Sequence, residues 1–272
     1  MPLKREALSQ ALMKIRHKKP VIHTMTNWVT AGEVANALQA MGARPIMAIS
    51  KDEVTEIVAN ADGLVINLGT PDPLRIEAML LAAHQANTLG RPVILDPVGA
   101  GASNFRLEAI RTIFSQIRIS IIRGNQAEIG ILSEMGGKLR GIDTDQGPSD
   151  LYRAAKFLSQ KTGSVVAISG QEDWVVKDER KVVIENGHPL MSQITGTGCM
   201  LSAIMGAFAA VEQDPFIAAV GACVLFGLAG ERASIGVKGP GTFKAGLLDA
   251  LFTLKPEEIE AGAKLKEWSP TG

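Results

Sequence analysis

Thr195-Gly196-Thr197-Gly198-Cys199-Met200-Leu201 is a glycine-punctuated turn that runs without a break into an apolar helical pattern. Two glycines let the main chain take positive φ and bring successive N–H groups close to a ligand, with no Cβ in the way. The helix that follows, from about residue 199 to 211, aims its unpaired amides and the positive end of its dipole at the same place. Such a terminus holds anions, phosphate above all. On this reading the thiol of Cys199 stands at the first helical position. A Gly-x-Gly turn before a helix is also an ordinary tight connection, so its meaning depends on what else the chain brings to it.

Upstream, apolar runs alternate with helical periodicity, and the runs end in polar residues. A helix over 3–19 stops at Pro20, and 21–26 reads as a strand that leaves through Asn27-Trp28-Val29-Thr30 into a helix over 31–41. Residues 45–49 form a second short apolar run containing Met47, with a short helix over 53–61 after it. A third strand, 63–70, has Gly69 near its end, where a small ligand can approach the backbone. After a helix over 73–89 comes the run 92–99, with Asp96 at its tip. Aspartate is disfavoured in a buried strand unless it is paired or holds a metal, which marks Asp96 as a functional candidate.

A helix over 105–118 and a strand over 119–125 lead into residues 126–132, gathering Arg123, Asn125 and Glu128 at one strand-to-helix corner. Arginine supplies a permanent cation for phosphate, and a carboxylate one turn into a helix can hold Mg²⁺ through water. The offset of Asn125 and Glu128 is equally that of a capping box, which accounts for those two and leaves Arg123 unused. Residues 136–147 read as a surface loop or the start of a helix running to 161. The strand 165–170 ends in Ser169 and a glycine, and 174–177 with 181–184 form an antiparallel hairpin. Three helices over about 198–211, 216–234 and 241–253 and a charged tail complete the chain. The four histidines are dispersed, with no ligand-spaced partners.

This alternation describes an α/β protein: a mostly parallel sheet, helices on both faces, an antiparallel hairpin at one edge, and a site along the carboxyl ends of the strands. The length, 272 residues without a compositional break, favours one domain over 1–272. Hydrophobic residues make up 46% of the chain but aromatics only 4%, so the core is built from aliphatic side chains. Lys plus Arg and Asp plus Glu both number 28, which gives no electrostatic case for nucleic acid or an anionic membrane as partner. Two cysteines without zinc or disulfide spacing fit a reducing cytosol, and the N-terminus lacks signal-peptide order. The apolar stretch 216–229 is only about 14 residues, short for a bilayer, and reads as a buried helix. The expectation is a soluble, cytoplasmic protein.

No Gly-x-x-x-x-Gly-Lys-Ser/Thr occurs, no Gly-x-Gly-x-x-Gly follows the first strand, and Gly-x-Ser-x-Gly is absent. P-loop, dinucleotide and serine-hydrolase readings fall away. No histidine is placed by sequence beside Cys199, which disfavours cysteine hydrolysis.

Residues 67–70, 95–100, 122–125 with Glu128, and 195–199, together with Asn27-Trp28-Val29-Thr30, resemble the hydroxyethylthiazole kinase family of the ribokinase-like fold over about 21–251. The resemblance implies transfer of the γ-phosphoryl of ATP to 4-methyl-5-(2-hydroxyethyl)thiazole in thiamine salvage, with Mg²⁺. It implies that Arg123, Asn125 and Ser169 bind ATP phosphates, Ser169 standing where the family usually has threonine. It implies Mg²⁺ on Asp96 and Glu128, a thiazole pocket framed by Asn27, Met47 and Gly69, and an acceptor hydroxyl facing Gly196 and Cys199 at the catalytic turn of Gly198. Relatives in the wider fold have aspartate at the position of Cys199, so the identity of a base stays open. A helix N-terminus can lower a cysteine pKa, yet a loose transition state needs no early deprotonation, which favours an orienting role for the thiol. The resemblance also implies a homotrimer with the thiazole pocket between subunits. Two rivals stand beside it: a ribokinase-like lyase that dehydrates a hydrated nicotinamide nucleotide, and a non-catalytic nucleotide-binding subunit.

Overall fold

A computed structural model of the chain describes residues 3–140 and 143–268. Its strands are β1 (Val21–Met25), β2 (Arg44–Ile46), β3 (Gly63–Asn67), β4 (Val93–Asp96), β5 (Ile121–Asn125), β6 (Lys138–Arg140), β7 (Asp143–Gln146), β8 (Val165–Ser169), β9 (Asp173–Lys177), β10 (Arg180–Ile184) and β11 (Leu265–Trp268). The helices are α1 (Arg5–Lys18), α2 (Ala31–Met41), α3 (Val54–Ala59), α4 (Pro73–Thr88), α5 (Asn104–Gln116), α6 (Gln126–Leu132), α7 (Leu151–Thr162), α8 (Thr197–Ala209), α9 (Pro215–Ala233), α10 (Pro240–Thr253) and α11 (Pro256–Gly262).

Nine strands form one sheet in the order β11-β10-β9-β8-β5-β4-β3-β1-β2. From β2 to β8 every neighbouring pair is parallel, and β9, β10 and β11 continue antiparallel. The aliphatic runs bury both faces because successive side chains alternate. Val65, Ile94, Ile121 and Val165 pack with α1, α2, α8 and α9, whereas Leu64, Ile66, Leu95, Ile122 and Val166 pack with α4, α5 and α7. The chain passes from β1 outward to β2 and then back across β1 to β3, so the order reverses between β1 and β3. Such a reversal opens a crevice at the carboxyl ends of the strands, where ligands bind in open α/β sheets.

The structure departs from the sequence reading in four places. Residues 136–147 are neither a plain loop nor the beginning of α7: β6 and β7 pair antiparallel, and α7 starts only after Asp150, whose side chain accepts from the Arg153 amide. The charged tail supplies α11 and then β11, which pairs with β10 and extends the antiparallel edge one strand beyond the expected hairpin. The apolar run at 45–49 contributes only its first two residues to β2, and Met47 lies beyond the strand. Finally, α9 is 19 residues long and apolar enough, by those measures alone, to cross a membrane. It is nevertheless a core helix, with 78% of its most apolar window buried against its neighbours.

Candidate active site

The carboxyl ends of β1, β3, β4, β5 and β8 lie side by side, and parallel register aligns their last residues. Asn67 stands opposite Asp96, and Asn125 opposite Ser169. The amino end of α8 abuts this rim. Gly196 caps the helix at φ +96°, so the helix begins at Thr197 and Cys199 occupies its third position, not its first. The first intrahelical bond runs from the Met200 amide to the Gly196 carbonyl at 2.8 Å, which leaves the earlier amides without helical acceptors. The two glycines serve different ends. Gly196 needs its positive φ, and a Cβ there would lie 2.7 Å from Thr30 Cγ2. Gly198 is required for close approach, because a Cβ on it would fall 2.8 Å from Arg123 Nη2.

Arg123 therefore lies across the start of α8. Its guanidinium donates to Ser169 Oγ and stands 3.7 Å from Asp96 Oδ1. Burial alone would lower its pKa, but the carboxylates of Asp96 and Glu128 beside it raise it further, so the cation is permanent. Asp96 is fully buried. Its Oδ2 accepts from Asn67 Nδ2 and from Ser202 Oγ, both at 2.8 Å, while Oδ1 accepts no hydrogen bond. Burial pushes the Asp96 carboxyl pKa up, opposed by Arg123, Ser202 and Asn67.

Asn125 and Glu128 form the capping box of α6. Asn125 Oδ1 accepts from the Glu128 amide at 2.9 Å, and Glu128 Oε2 accepts from the Asn125 amide at 2.8 Å. The second Glu128 oxygen accepts from the Gly99 amide, also at 2.8 Å. Burial and then the Asp96 charge push the Glu128 carboxyl up to about 7. Capping and proximity to the site thus coexist at this corner, and a carboxylate oxygen that accepts one amide keeps a second lone pair.

The Cys199 sulfur accepts from Asn67 Nδ2 at 3.2 Å and Asn27 Nδ2 at 3.4 Å. Burial first, and Asp96 second, push the thiol pKa up, against the lowering that a helix terminus alone would give. Cys199 is thus a neutral thiol at pH 7. Asn27 is buried, and its Oδ1 closes the turn by accepting from the Val29 and Thr30 amides at 3.1 Å, while Nδ2 also donates to Asn67 Oδ1 at 2.9 Å. Gly69 packs on Asn27: a Cβ there would stand 2.6 Å from Asn27 Nδ2. Met47 stays outside this hydrogen-bonded cluster. It is half-buried beyond edge strand β2, next to Ala48, whose carbonyl accepts from the buried His23 ring at 2.9 Å.

A cavity of about 570 Å³ opens beside the cluster, with Arg123, Ser169, Asp173, His188, Gly198 and Leu201 among its walls. A depression of equal volume at the amino edge of the sheet, near Arg91 and Arg118, contains none of the sequence-predicted residues and no buried polar side chain. The sequence-predicted polar residues and the buried polar side chains bonded to them thus gather at the carboxyl edge.

Asn67, Ser202 and Asp173 are participants that the sequence reading left without a role. Asn67 ends a fully buried strand, where asparagine is disfavoured, and Ser202 is one helical turn beyond Gly198 in an otherwise apolar helix. Both anomalies were visible as polar residues in apolar runs. Asp173 opens β9 and offers no such signal.

Sheet order, the reversal between β1 and β3, and a glycine-capped helix start at the carboxyl rim together define a protein of the ribokinase-like class. A ribokinase-like superfamily protein from Enterococcus faecalis superposes with a TM-score of 0.63 at 15% identity, covering 92% of this chain and 94% of that one, a likeness of fold. Nearer relatives fix the family. The model of the hydroxyethylthiazole kinase family matches residues 12–257. The hydroxyethylthiazole kinase of Desulfotalea psychrophila is 45% identical over 263 residues, 97% of this chain and 96% of its own length. The structure of hydroxyethylthiazole kinase from Pyrococcus horikoshii superposes with a TM-score of 0.88 at 37% identity, covering 96% and 99% of the two chains. The chain belongs to the hydroxyethylthiazole kinase family.

Proposed function

We propose that the cluster around Gly198 transfers the γ-phosphoryl group of ATP to the primary hydroxyl of 4-methyl-5-(2-hydroxyethyl)thiazole, giving the monophosphate and ADP, as a step of thiamine salvage. The chain is a kinase of the hydroxyethylthiazole family. The observation that carries the assignment of its site is the convergence of the α8 amides, Arg123 and Asp96 on one point of the rim.

In this reading the triphosphate tail lies in the cavity beside Arg123 and Ser169, with Asn125 at the corner next to them. The thiazole occupies the crevice between the exits of β1 and β3, framed by Asn27 and Gly69, with Met47 at its outer rim. Its hydroxyl meets Gly196 and Cys199. The bond that breaks joins Pγ to the oxygen bridging it to Pβ, and the bond that forms joins Pγ to the acceptor oxygen. Charge moves onto the transferring and leaving oxygens, where the α8 amides and the Arg123 cation neutralise it. The neutral Cys199 thiol, held by Asn27 and Asn67, orients the hydroxyl, which can lose its proton late in a loose transition state, to an oxygen of the transferred phosphoryl group and then to solvent.

The acid pair suits Mg²⁺. Asp96 Oδ1 is a buried oxygen without a hydrogen-bond donor, and both Glu128 oxygens keep spare lone pairs. Among the described residues no three acid, thiol or imidazole groups gather into a complete metal centre, which fits a hard cation that arrives with phosphate oxygens. When bound it would offset the charge of the β- and γ-phosphates. Two further readings belong to the same proposal. The protein works in the cytoplasm, and it assembles as a homotrimer whose thiazole pockets lie between subunits. Trp28 and Val29, 64% and 68% exposed at the lip of the crevice, are apolar surface that such an assembly would cover.

A coupled assay with ATP, Mg²⁺ and the thiazole alcohol, run beside the related pyrimidine alcohol, tests the activity. Turnover of the thiazole alcohol is expected, with much weaker turnover of the pyrimidine; ATP binding without turnover of either would overturn the assignment.

A further inference from the structure

The exits of β3 and β4 carry both halves of the proposed site, and one side chain holds them together from behind. Arg106, in the first turn of α5, donates through Nη1 to the carbonyls of Leu68 and Val98, the latter at 2.7 Å, and through Nη2 to the Gly69 carbonyl at 2.8 Å. Its guanidinium is spent on main-chain carbonyls, and no carboxylate among the described residues lies within ion-pair distance of it. Burial lowers its pKa, with Glu128 as the opposing charge. Each carbonyl it grips adjoins a functional contact. Gly69 packs against Asn27 and donates its amide to Asn67 Oδ1 at 2.9 Å, on the acceptor side. Val98 precedes Gly99, whose amide donates to Glu128 Oε1 on the acidic side.

A planar fork with several fixed donors can span two strand exits at once, which a single ammonium cannot. From this geometry we infer that Arg106 is a positioning residue for phosphoryl transfer: by clamping Leu68 and Gly69 to Val98 it sets the separation between the acceptor pocket and the Asp96–Glu128 pair. The inference rests on the kinase reading above. Arg106 is not among the walls of the cavity that would hold ATP, so its effect falls on acceptor use and on the transfer step. A misplacement of about 1 Å between reacting groups costs on the order of 100-fold in rate.

The test compares R106A and R106K with R111A, a control on the same helix whose exposed arginine pairs with Glu108. Wild-type turnover of the thiazole alcohol is measured first, and its absence would overturn the kinase reading itself. With the wild type active, R106A is expected to lose about 30- to 100-fold in kcat/KM for the alcohol while KM for ATP stays within about threefold. R106K, which keeps charge and length, should recover less than about tenfold of that loss, and added methylguanidinium should partly restore R106A. R111A should match the wild type. The inference fails if R106K equals the wild type. It fails equally if R106A raises both KM values together and its loss vanishes when the assay is cooled below its lowered melting temperature, because that pattern marks a merely structural role.

Discussion

Arg123 and Gly198 are in contact because residue 198 has no side chain: a Cβ would stand 2.8 Å from Nη2 and nearer still to Nη1. The guanidinium thereby reaches Asp96 on one side and the bare amides of α8 on the other. On the proposed reading this contact makes the start of α8 part of the phosphate site, so its loss should be more damaging than the loss of the neighbouring thiol. In single-turnover measurements G198A is expected to slow transfer about 100-fold or more, since it displaces Arg123 and disturbs the anion cradle. C199A should cost about tenfold, below the roughly 100- to 10,000-fold that a true general base supplies, because the thiol only orients the hydroxyl. A larger loss in C199A than in G198A would assign the thiol the main role.

On the proposed reading, a change at Gly69 separates acceptor binding from ATP binding. G69A inserts a methyl group against Asn27 Nδ2 at 2.6 Å, in a turn fixed on both sides. Overpacking of this kind costs about 1–3 kcal/mol, and here it acts on the crevice that the thiazole would enter. KM for the alcohol should rise about tenfold or more with KM for ATP nearly unchanged. Equal changes in the two constants would place the thiazole elsewhere.

Ser202 holds the inner oxygen of Asp96 at 2.8 Å, in full burial. A hydrogen bond to a charged acceptor is worth about 1.5–3 kcal/mol, and S202A leaves that oxygen with Asn67 alone. Urea unfolding should report a loss in this range. An unchanged midpoint would mean that Asp96 is not held as a buried, hydrogen-bonded carboxylate in the folded protein.

Asp173 should impose a pH dependence on stability. Burial pushes its carboxyl up to about 6, against the Gly170 amide, the Arg123 charge and the Cys223 thiol, which favour the ionised form. A folded pKa above the unfolded one means that the native state keeps a proton that the unfolded chain has released. Its stabilising contribution is therefore complete below about pH 4 and is lost as pH rises through about 6. D173N cannot ionise, so the difference in melting temperature between the wild type and D173N should shift against the wild type between pH 4 and about 6.5, then level off. A difference independent of pH would show that Asp173 titrates normally.

The order of elements along the chain, the alternation of β-strand and helix, and the residues that end each strand were legible without coordinates. Hydrophobic period and glycine or proline punctuation are local properties, and Asn27, Asp96, Asn125 and Ser169 could be located at strand exits from them alone. Two segments were misread for want of a local signal. The 136–147 region and the tail become strands only because another strand is there to pair with, β7 for β6 and β10 for β11.

What the sequence by itself determined is which chemical groups stand at the carboxyl edge: one guanidinium, two acids, a thiol, and a glycine turn opening a helix. Tertiary structure alone decided how they meet. The reversal between β1 and β3 brings their exits side by side, and parallel register sets Asn67 beside Asp96. The absence of a side chain at Gly198 becomes a contact only when β5 delivers Arg123 to it, and the same folding half-buries Cys199 beside Asp96, which pushes its thiol pKa up. The physical reason is that burial and approach are sums over neighbours distant in the chain. Identity is written residue by residue, whereas desolvation, charge coupling and distance exist only once those neighbours are assembled.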